Sequence, residues 1–153
     1  MPQKLNFPLS NFRIKKVDGA EFIWDNIRHK WLLLTPEEWV RQNFIHYIIE
    51  HRSVSASHIS QEHPVMLGRL SQRADIVVFD TALKPLMLIE CKSTEVEITQ
   101  KVFAQAVRYN SVIKAPMVVV TNGLRHLCCE IDPDSGRYSA MVEIPDMLNF
   151  FRV

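Results

Sequence analysis

Two hydrophobic rhythms run along the chain. Where every second residue is apolar a strand is predicted; where apolar residues recur three and four apart a helix is predicted. After an irregular arm over residues 1–12, Phe12 to Trp24 alternates loosely around Asp18-Gly19, a hairpin turn signal. Asp25 to Lys30 reads as a charged connector and Trp31 to Leu34 as a short apolar run, so a small antiparallel feature packed on the main domain is expected. Thr35-Pro36-Glu37-Glu38 starts a helix, with Thr35 at the N-cap, Pro36 at N1 and Glu38 at N3 to close a capping box. It runs to about His51, with Val40, Phe44, Tyr47 and Ile48 as its apolar stripe and Ile45 and Ile49 widening it. Ile59 to Met66 reads as a strand, placed at an edge by Pro64, and Gly68 to Gln72 as a turn. Arg73 to Ser93 is two apolar runs joined by a tight turn. Thr99 to about Ile113 fits a helix burying Val102, Phe103, Ala106, Val107 and Ile113. Ala115 to Val120 is continuously apolar, as a central strand buried on both faces would be, and is expected to lie parallel to the strand before that helix. Leu124 to Ile131 and Tyr138 to Ile144 read as strands, and Pro145 to Val153 as a short terminal helix. The order predicts an α/β sandwich with a central mixed β-sheet, divided into residues 1–34 (arm and small antiparallel feature) and 35–153 (main domain).

The Arg73–Ser93 hairpin carries charges that buried strands do not tolerate without a reason. Asp75 lies near the start of the first run; Glu90 and Lys92 close the second, with Cys91 between them. If the turn centres on Ala82-Leu83, position 75 faces position 90, and directly opposed Cβ atoms are roughly 4.5–5.5 Å apart. Two like charges that close need a shared proton or a cation between them. One reading is a Mg²⁺ site (Mn²⁺ as substitute) for phosphodiester hydrolysis: Asp75, Glu90 and the Cys91 backbone carbonyl hold the ion, and Lys92 serves the attacking water. The simpler reading is an ion pair between Lys92 and one acid. Glu37 falls at the centre of the first helix's apolar stripe, where a carboxylate has no helix-making purpose; it also suits the helix dipole. Gln105 and Tyr109 are four apart and share a face of the second helix. Arg13, Lys15, Lys16, Arg28 and Lys30 are either phosphate-facing or a solvated charged edge.

Composition narrows the classes further. The 153 residues have a formal net charge of +1, which neither announces nor excludes a nucleic-acid partner. No apolar run approaches the roughly 18 residues that span a bilayer, so no membrane association is expected. Nothing resembles a signal peptide, and three cysteines without a CxxC point to a reducing, cytoplasmic setting.

Five motifs in order, TPEEWVRQ (35–42), RADIVVFD (73–80), LIECKS (88–93), QAVRYN (105–110) and VVTNGL (119–124), resemble the PD-(D/E)xK nuclease superfamily. More closely, the chain resembles the family named for the N-terminal nuclease domain of type I restriction enzyme R subunits, in a short stand-alone form. The likeness covers roughly residues 31–125. It implies a restriction-endonuclease-like α/β/α sandwich and a Mg²⁺-dependent DNA endonuclease, or alternatively a catalytically silent nucleic-acid-binding or regulatory module of the same fold. It implies that Asp75 and Glu90 are the metal-binding acids, Lys92 the catalytic lysine, and Gln105 and Tyr109 a supporting motif. Glu37 best matches the first-helix acid, with Glu38 as fallback and Glu62 a further acid that could approach. Ala74-Asp75 stands where the family has Pro-Asp. The likeness further suggests a homodimer, for which the apolar MLNFF (147–151) offers an interface, or a partner protein for targeting.

Overall fold

In the computed structural model, which describes residues 2–152, the chain begins as an irregular arm and then forms a three-stranded antiparallel sheet: β1 (Ile14–Val17), β2 (Ala20–Asp25) and β3 (Lys30–Leu33). Asp18 (φ 50°) and Gly19 (φ 84°) make the two-residue turn between β1 and β2, both left-handed as such a hairpin requires. Helix α1 (Pro36–His51) follows, its Thr35 Oγ1 accepting the Glu38 N–H at 3.0 Å. The main sheet has six strands in chain order: β4 (Ile59–Leu67), β5 (Leu70–Phe79), β6 (Pro85–Cys91), β7 (Met117–Thr121), β8 (His126–Ile131) and β9 (Tyr138–Met141). Helix α2 (Gln100–Ile113) links β6 to β7, the parallel pair; the other neighbours are antiparallel. This is a mixed α/β fold of two α-helices, a six-stranded mixed sheet and a small three-stranded sheet. None of its helices is long and apolar enough to cross a membrane.

Each face of the main sheet has its own core. Val40, Phe44, Ile45 and Ile48 of α1 pack with Ile76, Val78, Met87 and Ile89 on one side. Ala106 and Tyr109 of α2 pack with Val77, Leu88, Val118 and Val120 on the other. The sheet therefore lies between the two helices, and its central strands are apolar on both faces for that reason.

Several sequence-based boundaries move. The β4–β5 hairpin turns on Gly68 and Arg69 alone, so β5 starts at Leu70 rather than Arg73. Leu86 joins the α1-side core although Leu88, two residues on, joins the α2-side core, beside a bulge at Val78/Phe79. The fully buried positions of α2 are Ala106, Tyr109 and Asn110; Val102, Phe103, Val107 and Ile113 are half-buried. Asn110 ties the helix to the next strand through both amide atoms, to Ala115 O at 3.0 Å and Ala115 N at 2.9 Å. Strand β9 ends at Met141, and the terminal helix is a single 3₁₀ turn over Leu148–Phe150. Met147 is fully buried and Phe151 packs on the α1-side core, so much of that segment closes the chain's own core; Leu148 and Phe150 remain exposed.

The arm is anchored. Leu5 is buried in the core, Trp39 Nε1 donates to Gln3 O at 2.6 Å, and Asn6 N donates to Gly123 O at 2.7 Å. Gly123 has φ +86°, and a Cβ there would meet Leu5 Cδ2 at 2.9 Å and Val40 Cγ2 at 3.0 Å. Gly123→Ala is therefore strained in its backbone and pushes the arm outward. We expect about 1–3 kcal/mol of destabilisation in urea unfolding, with faster proteolysis of the arm; an unchanged midpoint and cleavage rate contradict this.

Candidate active site

The site forms where two strands part. The β5–β6 ladder pairs Ile76 with Ile89 and Val77 with Leu88, and the same register sets Asp75 opposite Glu90. At that position side chains replace backbone partners. Asp75 N–H donates to Glu90 Oε1 at 3.1 Å, and Cys91 N–H donates to Asp75 Oδ2 at 2.7 Å. The cause lies on the neighbouring strand. Glu62 has a positive φ of 51°, and the face alternation of both strands slips there: Ile76 belongs to the α1-side core but Ala74 to the α2-side core, and likewise Ile59 and Val65. A slip at Asp75 takes its backbone out of the regular ladder, and the carboxylates satisfy the orphaned donors.

Electrostatics follows from this burial. Glu90 is 4% exposed, and desolvation together with the Asp75 charge pushes its pKa up to about 9. Burial also raises Asp75, against the Cys91 N–H and the Arg41 and Lys92 charges, and the two carboxyls are close enough to share a proton. Cys91 is buried and its thiol pushed well up, by desolvation and then by these acids, so it is inert as a nucleophile.

Lys92 lies just past β6, its N–H donating to Thr121 O at 2.8 Å. Its Nζ donates to Gln105 Oε1 at 3.2 Å, Gln105 Nε2 donates to Tyr109 Oη at 3.2 Å, and Tyr109 Oη donates to Gln72 Oε1 at 3.4 Å. The ammonium acts electrostatically on Glu37, Asp75 and Glu90 alike. Among the described residues it makes no ion pair within 4.0 Å, so the simple Lys92–carboxylate pair does not form.

Glu37 and Glu38 exchange the places the helical period suggested. Glu37 is exposed, yet partial desolvation and the Asp75 charge raise its pKa. Glu38 is buried. Its carboxylate does not reach back to close the capping box: it takes both arms of Arg41 and the Gln42 amide, while Thr35 N–H goes to Leu33 O at 3.0 Å. Glu62 is held by Arg28 at 2.7 Å and Arg41 at 3.6 Å, and its pKa is lowered, first by the Arg28 hydrogen bond. Thr35, Pro36, Glu37, Glu38, Arg41 and Ser93 line an open cleft.

Two contributors escaped the sequence reading. Arg41, beyond its pair with Glu38, lowers the Asp75 pKa through space. Asp25, read as part of a connector, is fully buried; it accepts from Ile27 N, Arg28 N, Arg28 Nε and Gln61 Nε2, each at 2.9 Å. The legible signal was local: an Asp whose carboxylate accepts from the N–H groups two and three residues on makes an Asx-type turn. Arg28, held between Asp25 and Glu62, is not a phosphate-facing cation.

Among the described residues no three His, Cys, Asp or Glu side chains gather as a metal cluster. The donor set still suits a hard cation. Mg²⁺ is commonly bound through one or two carboxylates with water filling the shell, and half-buried Asp75 and buried Glu90 are two closely set carboxyl groups, with Lys92 beside them engaged by Gln105.

Residues 36–145 match the family model for the type I restriction enzyme R protein N terminus (HSDR_N). The chain belongs to that family. Among solved structures it is similar to a fragment of a protein assigned as an HsdR subunit of a type I restriction enzyme from Vibrio vulnificus YJ016, with 20% identity and a TM-score of 0.43. That likeness covers 57% of this chain and 18% of the other. No curated protein matches the chain. The part matched to the R protein N terminus opens at the first residue of α1 and contains Glu37, Asp75, Glu90, Lys92, Gln105 and Tyr109; β1–β3 lie outside it.

Proposed function

We propose that this R protein N-terminal-like chain is a metal-dependent nuclease acting on DNA phosphodiester bonds, in a cytoplasmic setting, and that its sheet between two helices is the restriction-endonuclease-like sandwich. Residues 35–153 then form the nuclease unit and 1–34 an appended arm and sheet. The observation that carries this reading is the Asp75/Glu90 pair standing in the broken β5–β6 ladder beside a lysine held on a glutamine. Asp75, Glu90 and the Cys91 carbonyl would hold Mg²⁺ or Mn²⁺, which when bound supplies Lewis-acid activation of water and charge neutralisation at the phosphate. Lys92 orients or deprotonates the attacking water and, as the ammonium, stabilises developing negative charge. Gln105, backed by Tyr109, fixes the lysine ammonium. Glu37, at the rim of the cleft, is the next acid in reach.

The test combines metal binding with pH. Glu90's folded pKa of about 9 lies above its ordinary 4.5, so the folded state binds the extra proton between those values. The stability it contributes is full below about pH 4.5 and is lost as pH rises through 9. The metal-free protein should therefore melt progressively lower from pH 5 to 9, and Glu90→Gln should flatten that slope. Calorimetry should show Mg²⁺ or Mn²⁺ binding with proton release, weakened at least about tenfold in Asp75→Asn. No binding, or equal binding by the variant, removes the nuclease reading and leaves a non-cleaving module.

A further inference from the structure

The three-stranded sheet has one face against the body and one facing out. Ile23 and Asp25 on β2 are fully buried and mark the inner face, with Ile14 and Leu32 opposite Ile23. Beyond the Val17–Ala20 pair next to the turn, the outer face has two cross-strand rows. Trp24 pairs with Trp31, and Trp24 N–H donates to Arg13 O at 2.9 Å, which sets Arg13 at the end of their row. Lys15 pairs with Phe22 and Phe22 with Leu33, which makes the second.

That face combines three aromatic side chains with two cations. The Trp24 and Trp31 rings meet edge to face at 5.4 Å. The Arg13 guanidinium lies 4.9 Å from the Trp24 ring centre, and Lys15 Nζ lies 4.3 Å from that of Trp31. Both cations are exposed and neither forms an ion pair among the described residues. The acids of this segment are elsewhere: Asp25 is buried on the inner face, Glu21 is also inward, and Asp18 lies in the turn.

We propose that this face binds single-stranded nucleic acid. Half-exposed aromatic rings offer stacking surfaces to unpaired bases, and adjacent cations offer charge to the phosphates between them. In a duplex the bases are already stacked, so their faces are closed to these rings. The cations now resting on the tryptophans do not block this. An exposed cation–π contact is weaker than base–aromatic stacking, and a displaced Arg13 or Lys15 gains a phosphate. The charge complementarity selects a polyanion over an apolar peptide. The position suits delivery, because β3 leads through Leu34, Thr35 and Pro36 to Glu37. Binding at this face does not depend on cleavage, and it lies outside the part matched to the R protein family.

The experiment is fluorescence anisotropy with labelled oligothymidylate, oligouridylate and a duplex of equal length, in chelator so that no strand is cut. The wild-type protein should bind the single strands in preference to the duplex, with quenching of its tryptophan fluorescence. The better of the two single strands identifies DNA or RNA as the source. Arg13→Ala combined with Lys15→Ala should weaken binding about tenfold or more and reduce its salt dependence. Trp31→Ala should weaken it comparably, whereas Lys101→Ala, an exposed cation on α2, should not. If Trp31→Ala lowers the melting temperature, the surface double variant decides. The proposal is overturned if the wild type binds no single strand, if the double variant binds as tightly as wild type, or if duplex binds equally well. A failure here leaves Mg²⁺ binding at Asp75 and Glu90 untouched, and a failure there leaves this face untouched.

Discussion

Lys92→Ala is expected to lower DNA cleavage by roughly 10²–10⁴-fold, the usual contribution of a positioned acid–base group, while leaving the protein folded and able to bind metal. Lys92 follows the last residue of β6 and is half-buried, so truncation opens no core cavity. Its ammonium is the cation that moderates Glu37, Asp75 and Glu90 together. Without it the carboxylates repel one another with less relief, and their demand for an added cation rises rather than falls. The variant should therefore keep or tighten Mg²⁺ binding as it loses turnover, which separates a role in the chemical step from one in assembling the metal site. Gln105→Ala should give a smaller loss, because the lysine stays but its 3.2 Å anchor does not. The assay should cover supercoiled, linear, branched and single-stranded DNA, and RNA, with Mn²⁺. Equal cleavage by wild type and Lys92→Ala identifies a contaminating nuclease and removes the assignment. Loss of metal binding together with activity would instead make Lys92 a structural support.

The hairpin was legible because its geometry is arithmetic. A turn centred on Ala82-Leu83 sets 75 against 90, and the observed ladder keeps that register from Ile76 to Val78 before the bulge next to the turn. The start of α1 was legible from Thr35-Pro36, and the parallel β6–β7 pair from the helix between two apolar runs. What failed was the placing of side chains whose surroundings come from several distant segments at once. Periodicity placed Glu37 inward on the assumption of one apolar stripe. Helix α1 is in fact covered on several sides, by the sheet, by Phe7 and Phe12 of the arm, and by the polar cluster at Asp25. Its buried face is therefore wide enough to take in Glu38, Gln42 and Asn43. The slip at Glu62 was equally hidden, since nothing about a glutamate in a strand announces a left-handed φ. The terminal helix was over-read: nine residues are too few to hold a helix without strong packing, and Met147 is buried in a conformation that leaves only one 3₁₀ turn after it.

Asp25→Ala is expected to be the most destabilising of the polar substitutions, by about 3–5 kcal/mol, the range for breaking a buried charge pair from one side. The carboxylate is fully buried, which by itself would raise its pKa. The Arg28 backbone and side chain, Gln61 and Ile27 outweigh that and hold it below the ordinary value. Stability from this group is thus full above its unfolded pKa near 3.8 and is lost as pH falls through the lower folded value. Removing it orphans donors from three places at once: the turn after β2, Gln42 of α1 and Gln61 of β4. The damage also travels. Arg28 links Asp25 to Glu62, Glu62 reaches Arg41, and Arg41 both pairs with Glu38 and lowers Asp75. With the half-buried cation Arg28 unpaired on one side, its hold on the Glu62 bend beside Asp75 loosens, so metal affinity should weaken even where the variant remains folded. Glu143→Ala is the comparison, since the Arg52–Glu143 pair at 3.3 Å has its carboxylate largely in solvent and exposed pairs contribute roughly 0–1 kcal/mol. Urea unfolding of both variants decides the matter: if Asp25→Ala costs no more than Glu143→Ala, the buried network is incidental to the fold and the path from Asp25 to Asp75 carries nothing.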